Sequence, residues 1–218
     1  MSDINTQEQE QSNDLEIDNL PNRITIFRII LIPIVIGSLY IGNSDFSFID
    51  EEMKDLLGWI AGWTFVAASI TDFFDGYIAR KRNIVTVFGS FIDPIADKFL
   101  TVSSLIILQD LGRIPCLLVI ILVLREMYMT SLRLLASTEG ITVPVNKMGK
   151  WKTAMQMMGI PMLMANGDLY FLPLPKIGPI LIYIAAIISL WSAITYSISM
   201  IQKLKADRLQ KKVKRKER

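Results

Sequence analysis

Six apolar stretches, separated by charged connections, constrain the fold of this chain more than any other feature of its sequence. Hydrophobic residues make up 51% of its 218 positions, and the mean hydropathy of +0.40 is high for a water-soluble domain. A helix needs about 17–25 apolar residues to cross a bilayer. We therefore predict an all-α integral membrane protein with six transmembrane helices, near residues 24–41, 58–79, 87–108, 114–136, 153–166 and 177–202.

The distribution of lysine and arginine among the connections predicts the orientation of these helices. One set of connections carries basic clusters at residues 80–82, 147–152 and 203–218, whereas the opposite set carries only isolated basic residues. Cytoplasmic connections of membrane proteins are enriched in lysine and arginine. We therefore expect the basic connections and both termini to lie in the cytoplasm.

The two ends of the chain differ in charge, which predicts three parts. Residues 1–20 contain six acidic residues and no lysine or arginine, and we expect an acidic polar tail there. Residues 21–203 form the predicted membrane domain, with Pro21 as a helix-start signal. Residues 204–218 form a basic cytoplasmic tail that is expected to extend the sixth helix and to contact anionic membrane lipids rather than nucleic acid.

Four aspartates near the predicted cytoplasmic ends of the second and third helices are the strongest functional signal. Asp72 and Asp75 are three residues apart, and Asp93 and Asp97 are four apart, so each pair would lie on one helical face. Carboxylates beside a bilayer core are costly and usually functional. In a chain without histidine, four carboxylates are hard oxygen ligands, suited to Mg²⁺, or to Mn²⁺ as the alternative, and through the metal to phosphate.

The residues between the aspartates favour a metal–pyrophosphate site. Gly76 and Gly89 would let a ligand approach the backbone closely, and the guanidinium of Arg80 can hold a phosphate. Such a site suits an in-line displacement assisted by two metal ions, in which one carboxylate accepts the proton of the attacking hydroxyl. The structural alternative is that these acids only form ion pairs with neighbouring lysines and arginines.

The run Asp-x2-Asp-Gly-x2-Ala-Arg-x8-Gly-x3-Asp-x3-Asp, from Asp72 to Asp97, resembles the signature of the CDP-alcohol phosphatidyltransferase family at all eight defining positions. The resemblance implies six membrane helices and a cytoplasmic active site, where an alcohol displaces CMP from a CDP-activated lipid. It implies that the four aspartates are metal ligands and that Asp97 is also the catalytic proton acceptor. The residues that it places in contact with the CDP-lipid are Asn22, Thr25, Gly76, Arg80 and Thr86.

Charged residues in the predicted fourth helix indicate the kind of alcohol. Arg125 and Arg133 are eight residues apart, which is about 80° around a helix, so both can face one cavity. Arginines within a membrane helix suggest a buried anion, most simply a phosphate group on the acceptor. The alternative is that the two arginines pair with Glu126 and with the aspartates. The lysine-rich stretch 146–156 is expected to begin as a cytoplasmic loop, and its bases can be topology signals alone.

The segments Arg125-Glu126…Arg133 and Lys147-x2-Lys150-x-Lys152-Thr153-x2-Gln156 resemble the bacterial members of that family that use sn-glycerol 3-phosphate. The resemblance implies CDP-diacylglycerol and sn-glycerol 3-phosphate as substrates, a multi-pass protein of the bacterial cytoplasmic membrane, and often a homodimer. It assigns the acceptor phosphate to Arg125, Arg133, Lys147 and Lys150. Inositol phosphate, inositol, serine and phosphatidylglycerol stay open as acceptors. The residues alone also leave open an intramembrane prenyltransferase and an ion transporter.

Overall fold

The computed structural model describes the backbone of residues 20–44, 49–82, 87–140, 147–169 and 171–216. The side chains of 20–25, 72–94, 97, 147 and 207–216 lie outside the described part. The described backbone forms six helices and no strand beyond one isolated bridge between Leu169 and Leu172. The helices are α1 (Leu20–Gly42), α2 (Glu51–Arg82), α3 (Val87–Asp110), α4 (Cys116–Thr138), α5 (Lys147–Met164) and α6 (Leu174–Lys216).

The predicted all-α fold is confirmed, but α2 begins at Glu51 rather than near residue 58. The backbone N–H of Met53 donates to Asp50 Oδ1 at 2.9 Å, so Asp50 caps the helix. Glu51 and Glu52 occupy the first turn, where negative charge interacts favourably with the helix dipole. The acidic stretch that hydropathy assigned to a connection is therefore the first part of a helix.

The prediction that the stretch 146–156 begins as a loop is wrong, because α5 begins at Lys147. A hydropathy profile detects the apolar part of a helix and misses polar turns at its ends. Lysine and methionine are good helix formers, so the polar residues from Lys147 onward can continue α5 toward its N-terminus. Pro161 lies inside α5, which ends at Met164. The predicted helical extension of the basic tail is confirmed, since α6 continues to Lys216.

Among the residues that the structure describes, one helix is long and apolar enough to cross a membrane. It is the part of α6 from Leu174 to Ala206, with a hydropathy of 2.2. A shorter apolar helix covers Ile26–Gly42 in α1. Many side chains at the exposed positions of the helices are large and hydrophobic, as Leu117 and Ile187 illustrate.

The chain divides into two compact units, of which the first contains the residues up to Arg113 together with Ile160–Lys176. In this unit α1 packs against both α2 and α3. Gly58 of α2 lies so close to the end of α5 that a Cβ atom there would be 2.8 Å from the carbonyl oxygen of Met164. Glycine permits this approach of two backbones because it has no side chain to displace.

Arg113 stabilises the same unit by binding the end of α5. Its Nη1 donates to the carbonyl oxygens of Leu163 at 2.7 Å and Met164 at 2.8 Å, and its Nη2 donates to Asn166 Oδ1. Asn166 Nδ2 in turn donates to the carbonyl oxygen of Lys54 at 2.8 Å. The last carbonyls of a helix have no donor within the helix, so Arg113 both caps α5 and connects it to α2.

The second unit contains Ile114–Gly159 and the chain from Ile177 onward. Its apolar core joins α4 to α6 through Met129, Ala136, Ala193, Tyr196 and Met200. Beside this core, Tyr128 of α4 and Ser197 of α6 share a hydrogen bond of 2.8 Å between their hydroxyl oxygens.

Replacing Arg113 with Met should destabilise the protein, because it removes three hydrogen bonds from a charged donor. We expect a loss of about 2 kcal/mol, which corresponds to a fall of about 4–8 °C in the thermal midpoint for a chain of this size. Burial lowers the pKa of Arg113, yet the group stays charged at neutral pH because an arginine side chain ordinarily loses its proton only in strongly basic solution. The difference between the two proteins should therefore be independent of pH from about 6 to 8.

The measurement is thermal unfolding of both proteins in the same detergent. Lys176→Met is the matched control, because Lys176 is an exposed residue of the same unit and carries the same charge. Equal midpoints for Arg113→Met and Lys176→Met would show that the described hydrogen bonds contribute nothing net.

Candidate active site

The helical backbone carries both aspartate pairs close to the connection between α2 and α3. Asp72 and Asp75 lie in the last three turns of α2, and Asp93 and Asp97 lie in the first three turns of α3. Because both segments are helical, the spacings of three and four residues place each pair on one face. The four side chains lie outside the described part of the structure.

A short connection brings these two helix ends together. Only residues 83–86 separate Arg82, the last residue of α2, from Val87, the first residue of α3. Five extended Cα–Cα steps reach at most about 18 Å, so the aspartates occupy neighbouring ends of two successive helices. Thr86 belongs to this connection and is outside the described residues, whereas Gly76 and Arg80 lie in α2.

The donor set of these helix ends fits a divalent metal ion. Carboxylate oxygens are the ligands that Mg²⁺ and Mn²⁺ prefer, and the chain has no histidine to form a site for a softer metal. Among the described side chains no group of three or more acids, cysteines or histidines could hold a metal. The four motif aspartates are not among those side chains, so their own geometry is not decided by that finding.

Helix α1 carries two of the predicted site residues and a buried arginine to which the sequence analysis assigned no role. Asn22 and Thr25 lie in its first two turns, and their side chains are outside the described part. Arg28 follows Thr25 by three residues and is almost completely buried, with 1% of its surface exposed. A buried guanidinium needs compensating partners. In the sequence, Arg28 stands out as an isolated charged residue in the apolar stretch that begins at Ile26.

In the second unit, Arg125 is part of a buried network of charged side chains. Its Nε donates to the carbonyl oxygen of Ser189 at 3.1 Å, and its Nη1 donates to Glu126 Oε2 at 3.2 Å. Lys152 Nζ donates to the same Glu126 oxygen at 2.5 Å. The pairing of Arg125 with Glu126, one of the two interpretations of the sequence, is thus present, and it includes a lysine that neither interpretation named.

The other predicted acceptor residues have different surroundings. Arg133 lies two turns after Arg125 on α4 and is exposed. Lys147 is the first residue of α5, with its side chain outside the described part, and Lys150 is exposed. Of the basic residues between 148 and 152, Lys152 is the buried one, with 5% of its surface exposed.

Two buried polar atoms beside this network have no hydrogen-bond partner among the described residues. They are Gln156 Oε1 and Ser189 Oγ. Gln156 lies one turn after Lys152 on α5, and Ser189 is the residue whose carbonyl oxygen binds Arg125. Buried polar atoms in folded proteins are almost always bonded to protein, water or ligand, so we expect these two atoms to bind a polar partner that is not among the described residues.

Comparison with known proteins identifies the class to which this arrangement belongs. The family description "CDP-alcohol phosphatidyltransferase" matches residues 18–191, about four fifths of the chain. The chain belongs to this family.

Relatives of the chain carry a more specific name, CDP-diacylglycerol–glycerol-3-phosphate 3-phosphatidyltransferase. The protein of that name from Rickettsia felis is 40% identical over 185 residues, which cover 82% of this chain and 93% of the relative. The one from Bacillus subtilis is 37% identical, with 83% and 90% covered. A second form from Arabidopsis thaliana is 34% identical, with 83% and 79% covered.

Proposed function

We propose that this protein transfers the phosphatidyl group of CDP-diacylglycerol to sn-glycerol 3-phosphate. The products are phosphatidylglycerophosphate, a precursor in anionic phospholipid biosynthesis, and CMP. The observation that carries the proposal is the complete aspartate signature at neighbouring ends of α2 and α3, in a chain that shares 34–40% identity with relatives named for this reaction.

The reaction is a displacement at the phosphorus that bears the diacylglycerol. A free hydroxyl of glycerol 3-phosphate forms the new P–O bond, and the P–O bond to CMP breaks, with the electron pair leaving on CMP. Asp97 accepts the hydroxyl proton, which makes the oxygen a better nucleophile. Asp97 can serve in this way because it lies one turn after Asp93 on the same face of α3.

The carboxylates of Asp72, Asp75, Asp93 and Asp97 would hold Mg²⁺, with Mn²⁺ as the alternative. The divalent cation supplies positive charge that offsets the charge developing on the pyrophosphate oxygens. The chain itself orients the CDP-lipid through Arg80, which donates to a phosphate, and through Gly76, which lets the ligand approach α2 closely. Asn22 and Thr25 of α1 and Thr86 of the α2–α3 connection would make further contacts with the CDP-lipid.

A membrane arrangement with six spans accommodates both substrates. The lipid tails of CDP-diacylglycerol stay in the bilayer, while the water-soluble acceptor arrives from the cytoplasm. Six helices of at least 18 residues support this arrangement, as do the basic connections expected at the cytoplasmic face of a bacterial membrane. The homodimer that the family resemblance implies stays a prediction.

The proposal is tested by CMP release from CDP-diacylglycerol by the purified protein with Mg²⁺. Glycerol 3-phosphate, inositol phosphate, inositol, serine and phosphatidylglycerol are offered separately. We expect CMP release with glycerol 3-phosphate alone, and loss of release on chelation of the metal. Release with another alcohol instead would keep the aspartate chemistry and overturn the acceptor, whereas release with none would reject the phosphatidyltransferase reaction.

The Asp97→Ala variant tests the proposed proton acceptor. We expect turnover to fall at least about 100-fold, since loss of a general base typically costs 10²–10⁴-fold, while the protein folds and inserts normally. CMP release is measured together with the thermal midpoint. Asp110→Ala is the matched control, because Asp110 is an exposed carboxylate at the other end of α3. Normal turnover of Asp97→Ala would contradict the assignment.

A further inference from the structure

We propose that Glu126 is a positioning residue of the acceptor site, which holds Arg125 and Lys152 together so that both cations bind the phosphate group of the acceptor. The geometry assigns Lys152, rather than the exposed Lys150, as the α5 cation of this site. This inference rests on the proposed function, since it identifies how the acceptor phosphate is bound.

The distances bring the two cations to one place. Arg125 Nη1 and Lys152 Nζ both donate to the single oxygen Glu126 Oε2, at 3.2 Å and 2.5 Å. Two nitrogens within hydrogen-bond distance of the same oxygen lie within about 6 Å of each other. One phosphate group can therefore accept hydrogen bonds from both.

Burial explains why the pair needs a carboxylate to stay in place. Each of the two basic side chains is 6% exposed, whereas the Glu126 side chain is 27% exposed. Two like charges at this separation repel each other more strongly where water is scarce. The Glu126 carboxylate offsets that repulsion, and without it we expect the flexible lysine side chain to turn away from Arg125.

Arg125 is held on two sides and keeps a donor for a ligand. Ser189 of α6 binds its Nε, and Glu126 binds its Nη1. No described residue forms a hydrogen bond to Nη2. A guanidinium fixed in this way presents its remaining N–H groups in a constant direction, which suits the recognition of phosphate oxygens.

The two unpartnered polar atoms fit the rest of the acceptor. The hydroxyl of Ser189 can donate to a phosphate oxygen, and Gln156 Oε1 can accept from a glycerol hydroxyl. Both atoms are buried without a partner among the described residues. Ser189 also binds Arg125 through its carbonyl oxygen, and Gln156 lies one turn after Lys152 on α5. A small molecule with one phosphate and free hydroxyls would satisfy all of these groups.

The test is the kinetic behaviour of Glu126→Gln, Glu126→Asp and Lys152→Met in CMP release. We expect Glu126→Gln and Lys152→Met each to raise the KM for glycerol 3-phosphate about tenfold or more, with the KM for CDP-diacylglycerol and kcat changed less than about twofold. Glu126→Asp should recover part of the affinity. The double variant Glu126→Gln/Lys152→Met should be no worse than the poorer single variant, because the two residues act as one unit.

The matched controls are Glu51→Gln and Lys54→Met, which break an ion pair of 2.8 Å whose carboxylate is 87% exposed. We expect neither to change the KM for glycerol 3-phosphate. Binding is also measured without turnover, as the rise in thermal midpoint with increasing glycerol 3-phosphate. Glu126→Asp and Lys152→Met keep the proposal testable if Glu126→Gln fails to fold.

The outcomes separate the two proposals. If the unmodified protein releases no CMP with glycerol 3-phosphate, the proposed function fails. If it does, and Glu126→Gln or Lys152→Met keeps the KM for glycerol 3-phosphate, the positioning role is overturned. A lowered KM in Glu126→Gln would also overturn it, since Glu126 would then compete with the phosphate. A fall in kcat and thermal midpoint at constant KM would indicate structural stabilisation alone.

Discussion

Charge in apolar surroundings is the constraint on which the rest of this structure depends. A charged group removed from water is costly unless it is paired and hydrogen-bonded, and this chain places several on helices whose other residues are mostly apolar. Arg125 and Lys152, together with Arg113 in the connection between α3 and α4, are held by carbonyl oxygens or a carboxylate at 2.5–3.2 Å. Arg113 connects the end of α5 to the connection before α4, Arg125 joins α4 to α6, and Lys152 joins α5 to α4, so these charged residues also contribute to how the helices pack.

The sequence predicts the helices well and their polar ends poorly, for a physical reason. Six apolar stretches correspond to six helices, and among the described residues one of these helices, in its part from Leu174 to Ala206, is long and apolar enough to cross a membrane. The first turn of α2 is stabilised by a cap from Asp50. The first turns of α5 contain lysines, which a hydropathy profile assigns to a connection between helices. Local hydrogen bonding and helix propensity determine where these helices begin, and neither property affects the average hydropathy of a stretch of residues.

The candidate site shows the same division between pattern and packing. The placement of the aspartates at the ends of α2 and α3 follows from their spacing in the sequence, and their role in metal binding stays a prediction. Glu126 and Lys152 are 26 residues apart, and no spacing rule relates them. Which lysine of the α5 stretch faces inward depends on the rotation of that helix, and the exposed Lys150 and buried Lys152 differ by two positions, about 200° around it. Only the packed structure separates them.

The two compact units carry different parts of the proposed chemistry. The aspartate motif belongs to the first unit, and the network of Arg125, Glu126 and Lys152 belongs to the second. The described hydrogen bonds of Arg125, Glu126 and Lys152 all join residues of the second unit. Under the proposed function, we therefore expect substitutions of Arg125, Glu126 or Lys152 to change the affinity for the acceptor and to leave the aspartate motif as it is.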